Sequence, residues 1–199
     1  MKFGKYLKSQ IRAPFLANQY VDYDRLKDMI SALAKVEAKD VNLGPGESGF
    51  GERVTSLSTT PEMPEVAKFE GKDVTEADFF TLLEAEMAKV DEGTHERVKA
   101  TLARVEELEA KVSKMSQDPS KAVELRAEAQ AIGDEFLSLE KFANINYLAI
   151  HKILKKHDKC LPIPCRRFYI MRLAGQRWVK HDYSKIFVSF FSFSSNKKE

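Results

Sequence analysis

The chain has 199 residues, 43% of them hydrophobic and 31% charged, which is enough for one domain with a real core, or for one domain and the start of another. That mix fits a soluble, helix-rich protein: no run approaches the ~18 apolar residues of a membrane span, and the opening MKFGKYLKSQ lacks the apolar stretch of a signal peptide, so the chain is expected to begin in the cytosol. The net charge of +2 is spread unevenly, with +4 over residues 1–27, −12 over 28–140 and +10 over 141–199, so a fold that joins the two ends would build a common anion site.

In chain order, residues 2–13 read as a short helix stopped by Pro14. A second helix starts with Asp22 as N-cap and runs to about Lys39. Residues 40–73 hold GPGESGFG and Pro45, Pro61 and Pro64, which reads as a flexible loop or insertion. Thr75 is a good N-cap, with Val74 placed to staple onto Phe79. From there Phe79, Leu83, Met87, Val90, Val98, Leu102, Val105, Leu108, Val112 and Met115 recur mostly at steps of three and four, the pattern of a long amphipathic helix with coiled-coil character. Gly93 weakens it without breaking it, and SQDPS, with Pro119, ends it.

A second long helix follows, its buried side marked by Val123, Ile132, Phe136, Leu139, Phe142 and Ile150. Each long helix covers about 40 residues, or roughly 60 Å. Two such helices joined by a tight turn need further helices over their apolar seam, and the N-terminal pair can supply them. CLPIPC breaks the second helix at Pro162. Its cysteines, Cys160 and Cys165, have no second pair for a zinc site and read as reduced thiols. Beyond them the chain turns aromatic, and KIFVSFFSF has the composition of a strand.

The second long helix ends in KILKKHDK, where Lys152, Lys155, Lys156 and Lys159 share one face within an arc of about 100°. Cations near a helix C-terminus are favoured by its dipole, and a lysine side is commonly just a wet face. Two features point further: the only local acid is Asp158, and the other basic cluster, Lys2, Lys5 and Lys8 followed by YVDYDRLK, sits where a hairpin topology returns it to the same end. Tyr23 and Lys27 are four apart on one helix face, and a phenol with an ammonium makes a reasonable phosphate contact. Helix N-termini also attract phosphate.

MKFGKYL, YVDYDRLK, two long helices and NINYLAIHKILKKHDK together resemble an SPX domain over residues 1–160. The motif K-I-x-K-K-x-D-K is complete, and only the loop at 40–73 fits poorly. The resemblance implies an all-α fold, an N-terminal helical hairpin packed on a three-helix bundle with two long antiparallel helices, followed here by a short C-terminal extension. It implies a sensor of phosphate status that binds inositol hexakisphosphate or an inositol pyrophosphate as its ligand, with no cofactor. By position, the ligand-binding residues are Lys2, Tyr23, Lys27, Lys152, Lys155, Lys156 and Lys159. Residues 161–199 then read as a linker and the start of a following domain. The segment FYIMRLAGQRWVKHDYSKIFVSF is similar to the one that joins SPX to the catalytic domain in the vacuolar transporter chaperone family, which makes polyphosphate at the vacuolar membrane. That implies a chain in the cytoplasm, or on the cytosolic face of such a membrane through its parent protein. Phosphate exporters, SPX transporters, glycerophosphodiesterases and SPX-RING ligases are other parents.

No catalytic constellation stands out. His95, His151, His157 and His181 have no metal-ligand spacing with neighbouring acids, His157 projects toward the apolar side of its helix, and Trp178 reads as a core anchor. Two rival classes are a coiled-coil adaptor or homo-oligomer using its helical surfaces, and a peripheral module binding phosphoinositide headgroups or nucleic acid through the same lysines; the leading reading expects no nucleic-acid partner.

Overall fold

The computed structural model describes residues 2–11, 17–41, 66–114 and 119–180. Its elements are α1 (Phe3–Gln10), a 3-10 turn (Ala17–Gln19), α2 (Tyr23–Val41), β1 (Ala67–Phe69), β2 (Lys72–Val74), α3 (Glu76–Ser113), α4 (Pro119–Cys160), α5 (Arg166–Ala174) and α6 (Arg177–Lys180). The architecture is helical, as expected: α3 and α4 pair, α1 and α2 pack on α4, α5 packs on α4, and α6 packs on both α3 and α4. Among the described residues no helix is long and apolar enough to cross a membrane.

Local signals set the helix starts. Asp22 caps α2 by accepting the Arg25 N–H at 3.0 Å. Thr75 caps α3 in a reciprocal box: its Oγ1 accepts the Asp78 N–H while the Asp78 carboxylate accepts the Thr75 N–H at 2.8 Å. Such a cap contributes about 1 kcal/mol. Val74 and Phe79 on either side of it are both buried. Pro119 opens α4 at the first helical position, where its missing N–H removes nothing.

The core runs between α3 and α4 through Phe79, Leu83, Val90, Ile132, Phe136, Leu139, Phe142, Ile150 and Ile153, each at most 2% exposed. Leu173 and Trp178 from α5 and α6 share it. Helices of 38 and 42 residues span about 57 and 63 Å.

Several expectations need correction. Val123 is 70% exposed rather than buried, because it sits on the first turns of α4, where no described residue is buried. The first helix stops at Gln10, and α2 reaches Val41. The segment 40–73 is not all loop. Its end forms an antiparallel hairpin, with Ala67 opposite Val74 and Phe69 opposite Lys72. Glu70 and Gly71 both take positive φ, 52° and 75°, as a two-residue hairpin turn of matching twist requires. Arg25 holds the hairpin to α2 through two hydrogen bonds to Glu70, at 3.0 and 2.9 Å. Residues 42–65, Pro14, Met115 to Asp118 and the strand expected in KIFVSFFSF lie outside the described residues.

Candidate functional site

The lysine face of α4 gathers four ammonium groups on one side of one helix. Several cations elsewhere meet carboxylates, Lys8 with Asp24, Arg97 and Arg104 with Glu135, Lys111 with Glu128, Arg172 with Glu84 and Arg177 with Asp91, while others, Lys99, Lys121 and Lys141 among them, make no ion pair among the described residues but stand singly. Among the described residues, Lys152, Lys155 and Lys159 are exposed and make no ion pair, and the contact of Lys156 is a 4.0 Å approach to Cys160 Sγ. Such spacings repel by a few tenths of a kcal/mol per pair, so the face is held by the core behind it, Ile150, Ile153, Leu154 and His157, all fully buried.

Asp158, the one acid within the lysine motif itself, is turned to other work. Its carboxylate accepts the N–H groups of Cys165 at 2.9 Å and of Arg166 at 3.2 Å, capping α5 across the Pro162 break. Burial pushes its pKa up, but those hydrogen bonds outweigh it and hold the group below the usual carboxylate range.

The N-terminal cluster is delivered to the same helix. The Val21 N–H donates to Asn146 Oδ1 at 2.8 Å, and Tyr20 packs edge-on against Phe142 at 4.7 Å, fixing the start of α2 against α4. α1 then crosses the first turn of α2 at Gly4. A Cβ at Gly4 would lie 3.0 Å from Asp24 Oδ1 and 3.6 Å from the Tyr23 ring, so a larger residue would require the Asp24 carboxylate to give way by a few tenths of an ångström. Lys2 is the exposed N-cap residue of α1. Tyr23 stacks edge-on with Phe3 at 5.0 Å. Burial raises its pKa, against a lowering by the Lys27 charge, so the phenol keeps its proton and remains a donor. Lys27 is half-buried, with Asp24 at 3.1 Å and Asp28 at 3.4 Å, and the hydrogen bond to Asp24 raises its pKa. An incoming anion must compete with those carboxylates for Lys27, whereas the α4 lysines stand free of any.

A hollow of about 400 Å³ opens between α1, the 3-10 turn and α3. Asp22, Asp24 and Glu86 line it together with Lys8 and Lys89, and both lysines are already paired with its carboxylates, so the hollow keeps no cation free for an anion.

His157 is a core residue, as expected. It is fully buried, stacked on Phe79 at 4.9 Å, with Nε2 3.0 Å from Glu76 and Nδ1 3.2 Å from Cys165 Sγ. His157, Asp158 and Cys165 do bring three donor atoms within 4.8 Å of one another, which their spacing in the chain did not reveal. The Asp158 oxygens there are engaged by the α5 cap. Burial pushes the Cys165 thiol up to about 12, leaving it protonated and unreactive at neutral pH.

Two groups at the edge of the lysine face, His151 and Arg166, went unrecognised in the sequence. His151 Nε2 lies 2.8 Å from Arg166 Nη2, and since guanidinium only donates, His151 is neutral with its proton on Nδ1. Burial, then the charges of Arg166, Lys152 and Lys155, lower its pKa. The folded chain therefore binds fewer protons at this site than the unfolded chain, whose histidine titrates near ~6.5. Folding stability should rise with pH across the window between the lowered value and ~6.5, and fall as the solution is acidified through it. Melting curves from pH 7.5 to 5.5 should show this decline, and His151→Gln should flatten it; an identical slope in both proteins would remove His151 as the cause.

No family model matches the chain. It is 26% identical over 190 residues to SPX domain-containing protein 2 of Arabidopsis thaliana, covering 94% of this chain and 62% of the relative. It is 28% identical over 187 residues to SPX domain-containing protein 1 of Oryza sativa, covering 92% and 60%. Vacuolar transporter chaperone complex subunit 4 of Schizosaccharomyces pombe is 25% identical over 196 residues, 94% of this chain and 23% of that protein. The chain thus spans about three fifths of the plant relatives it matches. Among solved structures, the SPX domain of Chaetomium thermophilum glycerophosphodiester phosphodiesterase 1, in complex with inositol hexakisphosphate, superposes with a TM-score of 0.72 at 23% identity, covering 98% of both chains. That likeness is one of fold.

Proposed function

Since this chain carries an SPX domain, we propose that it senses phosphate status by binding inositol polyphosphates and inositol pyrophosphates on the lysine face of α4, together with the N-terminal helices. The observation that supports this reading is the concentration of charge: four ammonium groups on one helical face with no ion pair among the described residues, on the helix against which α1 and α2, the elements beside Lys2 and carrying Tyr23 and Lys27, also pack. In this reading Lys2, Tyr23, Lys27, Lys152, Lys155, Lys156 and Lys159 contact the ligand. Each phosphoryl group carries about −1.5 to −2 charges at neutral pH, and flexible ammonium groups suit a ring that displays them in several directions. Binding replaces the repulsion among the lysines with attraction and draws Lys27 off Asp24, tying α1 and α2 to α4.

The domain then acts as the regulatory head of a longer protein, a polyphosphate polymerase or a phosphate transporter. Residues 161–199 lead toward the effector domain of that protein, and α5 and α6, resting on the bundle, pass its state along. Any membrane association, at a vacuole or elsewhere, comes through that parent.

Calorimetry with inositol hexakisphosphate at physiological salt should give micromolar binding, with a pyrophosphorylated form at least as tight and orthophosphate far weaker, because a single phosphate engages only part of the cluster. Phosphoinositide vesicles and an oligonucleotide serve as competitors. No heat at low salt, or tighter capture by either competitor, would overturn the reading.

A further inference from the structure

We propose that Arg166 is a further anion contact of this site, taking an outlying phosphoryl group at the edge of the lysine arc that lies away from the N-terminal helices. The inference rests on the function proposed above and extends the site across the Pro162 break, onto α5.

Placement comes from α4 itself. At ~100° per residue, His151 and Asp158 fall within about 20° of each other around the helix. Moving round from His151, Lys155 lies about 40° away, Lys159 about 80°, Lys152 about 100° and Lys156 about 140°. The residues that receive the N-terminal helices, Phe142 and Asn146, lie further round, at about 180° and 220°. Arg166 is anchored at the opposite border: Asp158 holds its backbone N–H and His151 Nε2 holds its Nη2 at 2.8 Å. The cationic arc is therefore bracketed, by the N-terminal helices on one side and by a guanidinium on the other. His151 lies in the field of Arg166, Lys152 and Lys155 together, which places these charges around one spot.

The way Arg166 is held matters as much as where. Arg25, Arg97, Arg104, Arg172 and Arg177 each face a carboxylate that neutralises them. Arg166 faces a neutral imidazole. That contact orients the guanidinium without cancelling its charge; Nε is buried, and Nη1, which has no hydrogen-bond partner among the described residues, is left with the second N–H of Nη2 to meet an anion. A fork of N–H groups fits a phosphoryl oxygen pair better than an ammonium does. A ligand whose phosphoryl groups reach beyond the lysines, above all one bearing a pyrophosphoryl group, gains most from it.

The test is calorimetric titration of inositol hexakisphosphate into the full chain at two salt concentrations, for the parent, Arg166→Gln, Arg166→Lys, Arg167→Gln and the combined Lys155, Lys156 and Lys159→Ala variant. Arg166→Gln should weaken binding about three- to tenfold and make its salt dependence shallower, since a ligand-facing charge is gone. Arg166→Lys, which keeps the charge and loses the fork, should fall between it and the parent. Arg167→Gln, one exposed residue further along α5, should stay within about twofold of the parent. If the parent binds, the lysine variant does not, and Arg166→Gln matches Arg167→Gln, this proposal is overturned and the function stands. A parent that fails to bind takes both down. Weaker binding by Arg166→Gln with an unchanged salt dependence marks a structural loss and also overturns the proposal.

Discussion

Replacing Lys155, Lys156 and Lys159 together by Ala abolishes binding of inositol hexakisphosphate, a loss of at least about a hundredfold, and leaves the domain folded. Each lysine contact to a phosphoryl group is a charge-assisted hydrogen bond, of about 1.5–3 kcal/mol, and about 1.4 kcal/mol is a factor of ten. The fold survives because Lys155 and Lys159 are exposed, while the residues that hold this end of α4, Ile150, Ile153, Leu154 and His157, point the other way. Removing mutual repulsion offsets the lost interaction with the helix dipole, so the ligand-free melting temperature stays within a few degrees. The ligand raises the melting temperature of the parent by mass action, and the variant loses that rise. A variant that unfolds on purification makes the lysines structural; one that folds and keeps the full ligand-induced rise moves the anion site elsewhere.

Asn146→Ala destabilises the domain by about 2–4 kcal/mol. Asn146 is fully buried and uses both ends of its amide: Oδ1 accepts the Val21 N–H and Nδ2 donates to the Phe142 carbonyl, each at 2.8 Å. Truncation strands the Val21 N–H, at a residue only 3% exposed, and opens a small void beside Tyr20 and Phe142. In a domain of this size about 1 kcal/mol moves the melting temperature by ~2–4 °C, so a fall of roughly 5–15 °C is expected. Since this bond sets the start of α2, two residues before Tyr23, the variant should also bind the ligand less well under conditions where it stays folded. A melting temperature within ~2 °C of the parent would mean that the N-terminal helices are held by apolar packing alone.

How much of the structure is legible in the sequence depends on the range of the interactions. The caps at Asp22 and Thr75 were legible because donor and acceptor lie three residues apart. The lysine face was legible because one helix carries it. The hairpin at 67–74 escaped because strands of three residues show no period, although Phe-Glu-Gly-Lys does hold a glycine where a tight turn wants one. Val123 was misplaced because periodicity says which face a residue occupies, not whether another helix reaches that far. Asn146 carried a usable signal: it is four residues after Phe142 and seven after Leu139, a polar group in an apolar stripe that must find partners. Arg166 carried none, because its place depends on how the chain turns after Pro162, and only the folded cap on Asp158 decides that.

The thinning of the α3–α4 core toward the turn between them divides the long hairpin by local stability. Beyond Leu108 on α3 and before Ile132 on α4 no described residue is buried, and a bidentate contact from Lys111 to Glu128, at 2.8 and 2.9 Å, is the chief cross-link. Amides in that distal third exchange with solvent through small local openings, whereas those around Asn146 and Ile153 exchange only when the whole domain unfolds. A ligand that stabilises the folded state slows the second class and leaves the first untouched. The two ends of one helical hairpin therefore keep separate clocks, and only the end that carries the lysines registers what is bound there.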